Sequence, residues 1–178
     1  MSAQPVIRLG ILTVSDACSA GEREDRSGAL LVEWAERERF DVAERAVVPD
    51  DAITITRTLL RWADGGAVDA IFTTGGTGFG PRDVTPEATR PLLDREATGL
   101  AERIRRHGEG STLFAPLSRG LVGERAGVFI ANLPGSPGGV RDGIEVLAPM
   151  VQHVVALLAG ERPSHVSPAR AAQGNRGA

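Results

Sequence analysis

The sequence predicts an α/β domain whose largely parallel sheet is covered by helices on both faces. Three observations predict it. Apolar, β-branched runs alternate with segments of helical apolar spacing. Such runs are joined in parallel through right-handed crossovers. The strand-like runs also end in polar or glycine-rich loops, at Ser15-Asp16, Pro49-Asp50, the turn after Thr73 and Asn132, and open α/β sheets bind ligands beyond the carboxyl ends of their strands.

Val6 to Val14 has the composition of a central strand, closing on Ser15-Asp16. A polar loop leads through Asp25 to Ser27, a cap for a helix carrying Ala29, Leu30, Val32, Trp34 and Ala35. Phe40 to Val48 reads as a second strand. Asp51 opens a helix whose Ile53, Leu59, Leu60 and Ala63 recur at helical spacing, and Gly65-Gly66 ends it. Val68 to Thr73 is a short buried strand. Thr85-Pro86-Glu87 is a helix start with threonine as cap and proline in the first turn. Leu100 to His107 is a helix whose Arg103, Arg105 and Arg106 read as a solvated face.

Leu117 to Glu124 and Gly127 to Asn132 read as two strands joined through Arg125-Ala126, and Ile144 to Leu158 is the core of a last long helix. That helix is too short and too interrupted, by Glu145, Pro149, Gln152 and His153, to span a bilayer. Residues 1–160 are expected to form one domain. From Glu161 to Ala178 the composition turns to Pro, Ser, Ala, Arg and Gly without periodicity, the pattern of a flexible tail.

Composition narrows the function. The chain has 178 residues, 42% of them hydrophobic, enough for one core. A net charge of -3, an aromatic content of 4% and the absence of tyrosine argue against nucleic-acid binding. All basic residues are arginine, so a Walker-type loop, which needs lysine, is excluded. Gly76, Gly78 and Gly80 also lack the spacing of a dinucleotide fingerprint. Cys18 is the only cysteine, which rules out an intramolecular disulfide and points to a reducing, cytoplasmic compartment; it reads as a half-buried thiol. His107, His153 and His165 have no metal-ligand spacing. Met1 to Pro5 carries no signal-peptide pattern.

The stretch from Thr73 to Asp83 holds the chemistry. Glycines at 75, 76, 78 and 80 let backbone N–H groups approach an anion, and Thr74 and Thr77 add hydroxyls at the rim. Asp83 would repel a phosphate unless a divalent cation lay between them. The turn therefore reads as phosphate chemistry assisted by a metal, against the alternative of a tight structural loop. Asp16 and Asp50 read equally as site residues and as caps of turns or helices.

Taken together, Ser15-Asp16, Pro49-Asp50, Thr74-Gly75-Gly76-Thr77-Gly78, Arg82-Asp83-Val84-Thr85-Pro86-Glu87-Ala88-Thr89 and Asn132-Leu133-Pro134-Gly135-Ser136-Pro137 occur in an order that resembles the molybdenum-cofactor biosynthesis family of Mog, MoaB and the gephyrin G domain. The resemblance covers about residues 6–160. It implies a three-layer α/β/α sandwich of the molybdopterin-binding type, assembled as a homotrimer or hexamer. It further implies a molybdopterin adenylyltransferase that uses ATP and Mg²⁺ and releases pyrophosphate, with a molybdate-insertion protein as a possible partner.

By the same resemblance Asp83 and Asp50 are the catalytic, metal-linked carboxylates. Ser15, Asp16, Thr74, Gly75, Gly76, Thr77, Gly78, Asn132, Pro134, Gly135 and Ser136 would bind substrate, and Arg82 would meet either a phosphate or solvent. Two other functions stay open at this point: a non-catalytic molybdopterin-binding scaffold and a CinA-like nucleotide pyrophosphatase.

Overall fold

The computed structural model describes residues 6–161; residues 162–178 of the expected tail, His165 among them, and Met1 to Pro5 lie outside the described residues. The first strand, β1 (Arg8–Val14), is buried along almost its whole length, as its apolar composition requires. A single helical turn, α1 (Asp16–Ser19), follows it. Then come α2 (Arg26–Arg37), β2 (Asp41–Val48), α3 (Ala52–Asp64), β3 (Ala70–Thr74), α4 (Thr85–Thr89), β4 (Arg95–Glu96), α5 (Thr98–Gly108), β5 (Val122–Arg125), β6 (Val128–Leu133) and α6 (Pro137–Leu158).

The strands form one sheet in the order β2-β1-β3-β6-β5-β4. The first four are parallel, and β6-β5-β4 pair antiparallel. Alternate side chains of each central strand divide the core in two. Leu9, Ile11, Phe72, Phe129 and Leu133 pack under α2, α5 and α6. Leu12, Val14, Ile71 and Ile130 pack under α3, together with Ala88 of α4. The result is the expected three-layer α/β/α sandwich with a mostly parallel sheet. Trp34 lies edge-on to Phe72 at 5.1 Å between ring centres and anchors the first layer. Among the described residues no helix is long and apolar enough to cross a membrane.

Several boundaries differ from the sequence reading. Asp25, not Ser27, caps α2, its carboxylate accepting from Gly28 N at 2.8 Å, while Ser27 is buried in the first turn. Val84 holds the cap position of α4, and the Thr85 hydroxyl instead donates to Gly75 O at 2.9 Å. Ile53 is 62% exposed, and Ile55 and Trp62 carry the buried face of α3 in its place. In the stretch 117–124 only Val122 onward is strand, preceded by a 3₁₀ turn at Ala115–Leu117. Arg105 is not part of a solvated face: its guanidinium donates to Ser118 O and Gly120 O. The β5-β6 connection is a two-residue turn in which Ala126 and Gly127 both have positive φ, the geometry that matches strand twist. Ala126, strained there, donates its N–H to Asp94 Oδ2 at 2.8 Å.

Candidate active site at the sheet's carboxyl edge

β1 and β3 are adjacent and parallel, so their carboxyl ends, with those of β2 and β6, deliver four loops to one edge. The glycine turn after β3 is held there by its neighbours. Gly75 N donates to Leu133 O at 3.1 Å, and Thr85 N donates to Gly76 O at 3.0 Å. Gly75 has φ +100° and Gly76 φ +64°. A Cβ on Gly75 would sit 2.1 Å from Val14 O, so only glycine fits beside the end of β1.

Two cavities flank this turn. One, of about 720 Å³, is lined by Ser15, Cys18, Arg23, Asp50, Thr74 and Gly75 among others. The other, of about 410 Å³, is lined by Thr77, Gly78, Ile104, Phe114, Leu117 and Pro134 among others. Both are lined by Gly76, Asp83, Gly135 and Ser136, which therefore form the wall between them. Asp50 and Asp83 thus border the same cavity, and Asp83 also borders its neighbour.

The carboxylates form a network. Asp16 N donates to Asp50 Oδ2 at 2.8 Å, and Asp50 N donates to Asp16 Oδ1 at 3.0 Å. Arg82 grips Asp16 with Nε and Nη2 at 3.0 and 2.9 Å, so Arg82 is the partner of an aspartate on another loop. That bidentate pair, followed by the Asp50 amide, holds Asp16 below the ordinary carboxylate range. Asp50 shifts the other way. Burial pushes its carboxyl up, and the negative charges of Asp16 and Asp83 add to this, outweighing the Asp16 amide and Arg82.

Asp50 and Asp83 each use Oδ2 on a backbone amide, that of Asp16 and that of Gly80 respectively, and each keeps Oδ1 for a further partner. Two carboxylates that repel one another beside an amide-lined turn fit a hard divalent cation. Among the described residues no group of three or more His, Cys, Asp or Glu could hold a metal ion. Mg²⁺ matches that donor set, since it is commonly held by one or two carboxylates together with substrate phosphates.

The remaining expected site residues divide into two groups. Ser15 lines the larger cavity, with its Oγ capping α1 and receiving Arg23 Nη2 at 3.0 Å. Ser136 caps α6 through Gly139 N, so Gly138 and Gly139 belong to the helix's first turn, where N–H groups gather. Thr74 lines the larger cavity, but its hydroxyl donates to Pro134 O at 2.8 Å. Thr77 is buried, with its hydroxyl beside Ser118 Oγ at 3.3 Å.

Asn132 stands apart from both cavities. At 2% exposure its amide bridges Thr73 Oγ1, Thr89 Oγ1 and Leu121 N inside the fold. The sequence reading missed Arg119, whose guanidinium donates to Gly78 O and Asp83 O and pairs with Glu87. Its sequence signal was only an arginine next to Ser118 and Gly120 in a stretch read as strand.

Comparison with known proteins places this geometry. Residues 10–153 match the family model described as a probable molybdopterin binding domain. The structure is similar to that of the molybdopterin biosynthesis enzyme MoaB from Thermus thermophilus, with a TM-score of 0.82 and 47% identity over 88% of this chain and 98% of that one. The molybdopterin adenylyltransferase of Pyrococcus furiosus is 35% identical over 86% of this chain and 92% of its own length. The molybdenum cofactor synthesis protein cinnamon of Drosophila melanogaster is 40% identical over 85% of this chain. The chain spans between 26% and 49% of the length of cinnamon and of two bifunctional relatives. From the match over most of its length and the shared fold, the chain belongs to the molybdopterin-binding domain family that contains the Mog and MoaB proteins.

Proposed function

We propose that this chain is a molybdopterin adenylyltransferase acting in molybdenum cofactor biosynthesis. The observation that supports the reading is that Asp83 and the Gly76 backbone line both cavities; on this reading, molecules bound one in each cavity would meet at that shared wall. The relatives named for that activity support it.

In this reading the terminal phosphate of molybdopterin attacks the α-phosphorus of ATP. A new P–O bond forms, the bond to the β-phosphate oxygen breaks, and pyrophosphate leaves with that electron pair. The attacking phosphate is already ionised at neutral pH, so no residue has to remove a proton, and catalysis rests on alignment and charge compensation. The Gly76 to Gly78 amides and the first turn of α6 receive anionic oxygens, while the Gly75 amide is held by Leu133 O. Asp50 and Asp83 would hold Mg²⁺, which neutralises phosphate charge when bound. The proposal includes a homo-oligomer, which would cover apolar surface such as Leu113, 86% exposed, and Leu117, 52% exposed.

The test is pyrophosphate release from ATP, Mg²⁺ and molybdopterin, with the product identified. Adenylylated molybdopterin supports the proposal; hydrolysed nucleotide, or no turnover in protein that still binds molybdopterin, refutes it. Asp83→Asn is expected to lower turnover at least about 100-fold with pterin binding retained, since it removes a charge that acts on the transition state.

A further inference from the structure

We infer that Arg119 is a positioning residue that fixes the glycine loop and, through it, Asp83. The loop between β3 and α4 has glycine at 75, 76, 78 and 80, the residue with most freedom to lose on ordering. Its internal bonds are few: Asp83 N to Gly80 O at 3.0 Å and Gly80 N to Asp83 Oδ2 at 2.7 Å close its far end. Leu133 and Thr85 hold its first residues, and Arg82 ties its end to Asp16. Between them the carbonyls of Thr77, Gly78 and Asp83 are all held by one residue 36 positions beyond Asp83.

Arg119 N donates to Thr77 O at 2.8 Å, Nε to Gly78 O at 2.7 Å and Nη2 to Asp83 O at 2.8 Å, while Nη1 pairs with Glu87 of α4. One planar fork therefore ties the middle of the loop, its aspartate and the helix that follows. The ring of Phe79, at the loop tip and 72% exposed, lies 5.3 Å from the guanidinium carbon. Arg119 is anchored in turn by Arg105 of α5, which donates to the carbonyls of Ser118 and Gly120 on either side of it. Every guanidinium nitrogen is engaged with protein, so Arg119 acts by holding Asp83 in place. A lysine, with one nitrogen, cannot span acceptors on three segments.

What the loop does rests on the adenylyltransferase reading, but the clamp itself does not. Hydrogen exchange on the full chain tests the clamp directly. In Arg119→Met the hydrogen-bonded loop amides of Gly80 and Asp83 should exchange at least about tenfold faster, with β1 and β3 unchanged. Arg119→Lys, which keeps the charge without the fork, should fall between, and Glu87→Gln should loosen the loop by about threefold even if Arg119→Met does not fold. Unchanged loop exchange in these variants overturns the clamp.

Turnover then tests the purpose. Arg119→Met should lower kcat about 100-fold while the KM for each substrate moves less than about threefold. Combined with Asp83→Asn it should add nothing to the loss from Asp83→Asn alone. Multiplying effects, or a loss confined to KM, would show that Arg119 does not work through Asp83. A wild-type protein without turnover refutes the adenylyltransferase reading and leaves the exchange result to decide the clamp.

Discussion

Alanine at Gly75 should be far more damaging than alanine at Gly66, although both glycines have positive φ. At Gly66, φ +69°, an added Cβ meets nothing within 4 Å. The substitution there carries only the backbone penalty for a left-handed L-residue, about 1 kcal/mol. At Gly75, φ +100°, the Cβ would lie 2.1 Å from Val14 O, where real Cβ contacts essentially never fall below 3.0 Å.

Val14 ends a strand paired on both sides, so the turn has to give way, by about 1 Å. That movement strains the bond from Gly75 N to Leu133 O and the bond from Thr85 Oγ1 to Gly75 O, both in buried surroundings. Each buried polar pair broken costs about 1–2 kcal/mol. With the backbone penalty, Gly75→Ala should lose about 4 kcal/mol, a large part of the roughly 5–15 kcal/mol that holds a typical domain together. Urea unfolding of both variants with linear extrapolation reads the difference. If Gly75→Ala lies within about 1 kcal/mol of Gly66→Ala, the turn does not pack against β1 as tightly as this distance requires.

Two further substitutions separate structure from chemistry. Asn132→Ala should lower stability by about 2 kcal/mol, because it leaves the Thr73 hydroxyl and Leu121 N without their buried partner, while the Thr89 hydroxyl keeps its bond to Thr85 O. Folded Asn132→Ala protein should keep its substrate KM, and a raised KM at unchanged stability would return Asn132 to the site. Asp69 accepts from Arg8 N at 2.8 Å and from Arg8 Nη2 at 2.7 Å. Burial opposes its charge, but the Arg8 bonds outweigh burial and hold the carboxyl below the ordinary range. A depressed folded pKa contributes stability above the unfolded value, near about 4, and loses it as pH falls through the folded value. Asp69→Asn should therefore cost about 1 kcal/mol at pH 7, discounted for partial exposure, with the gap to wild type closing below about pH 4. A gap that persists in acid would mean that packing, not charge, was lost.

Local pattern made much of this fold legible. β1 reads as central because both its faces are apolar, and the alternation of Ala70, Ile71 and Phe72 serves two helix layers at once. The spacing of Leu59 and Ala63 gave α3, with Asp51 capping it through Thr54 N at 2.8 Å. Where two residues compete for one cap the pattern was ambiguous: Asp25 displaced Ser27, and Thr85 was drawn to Gly75 O. Both choices follow from what lies opposite in space, which spacing along the chain does not carry. The glycine turn was visible as an anion-site candidate from its composition, yet Asn132, equally polar and equally at a strand end, turned inward because Thr73 and Thr89 await it.

By itself the sequence determined the alternation of strands and helices, the two apolar faces of the sheet and the chemical types gathered at strand ends, because each is written in residues within a few positions of one another. Tertiary structure alone decided the strand order β2-β1-β3-β6-β5-β4, the exchange of amides between Asp16 and Asp50, the grip of Arg82 on Asp16 and that of Arg119 on the glycine loop. Those contacts join residues 34 to 66 positions apart. Hydrogen bonds and charge compensation act over a few ångströms in space, so chain closure, not local periodicity, selects which carboxylate meets which donor.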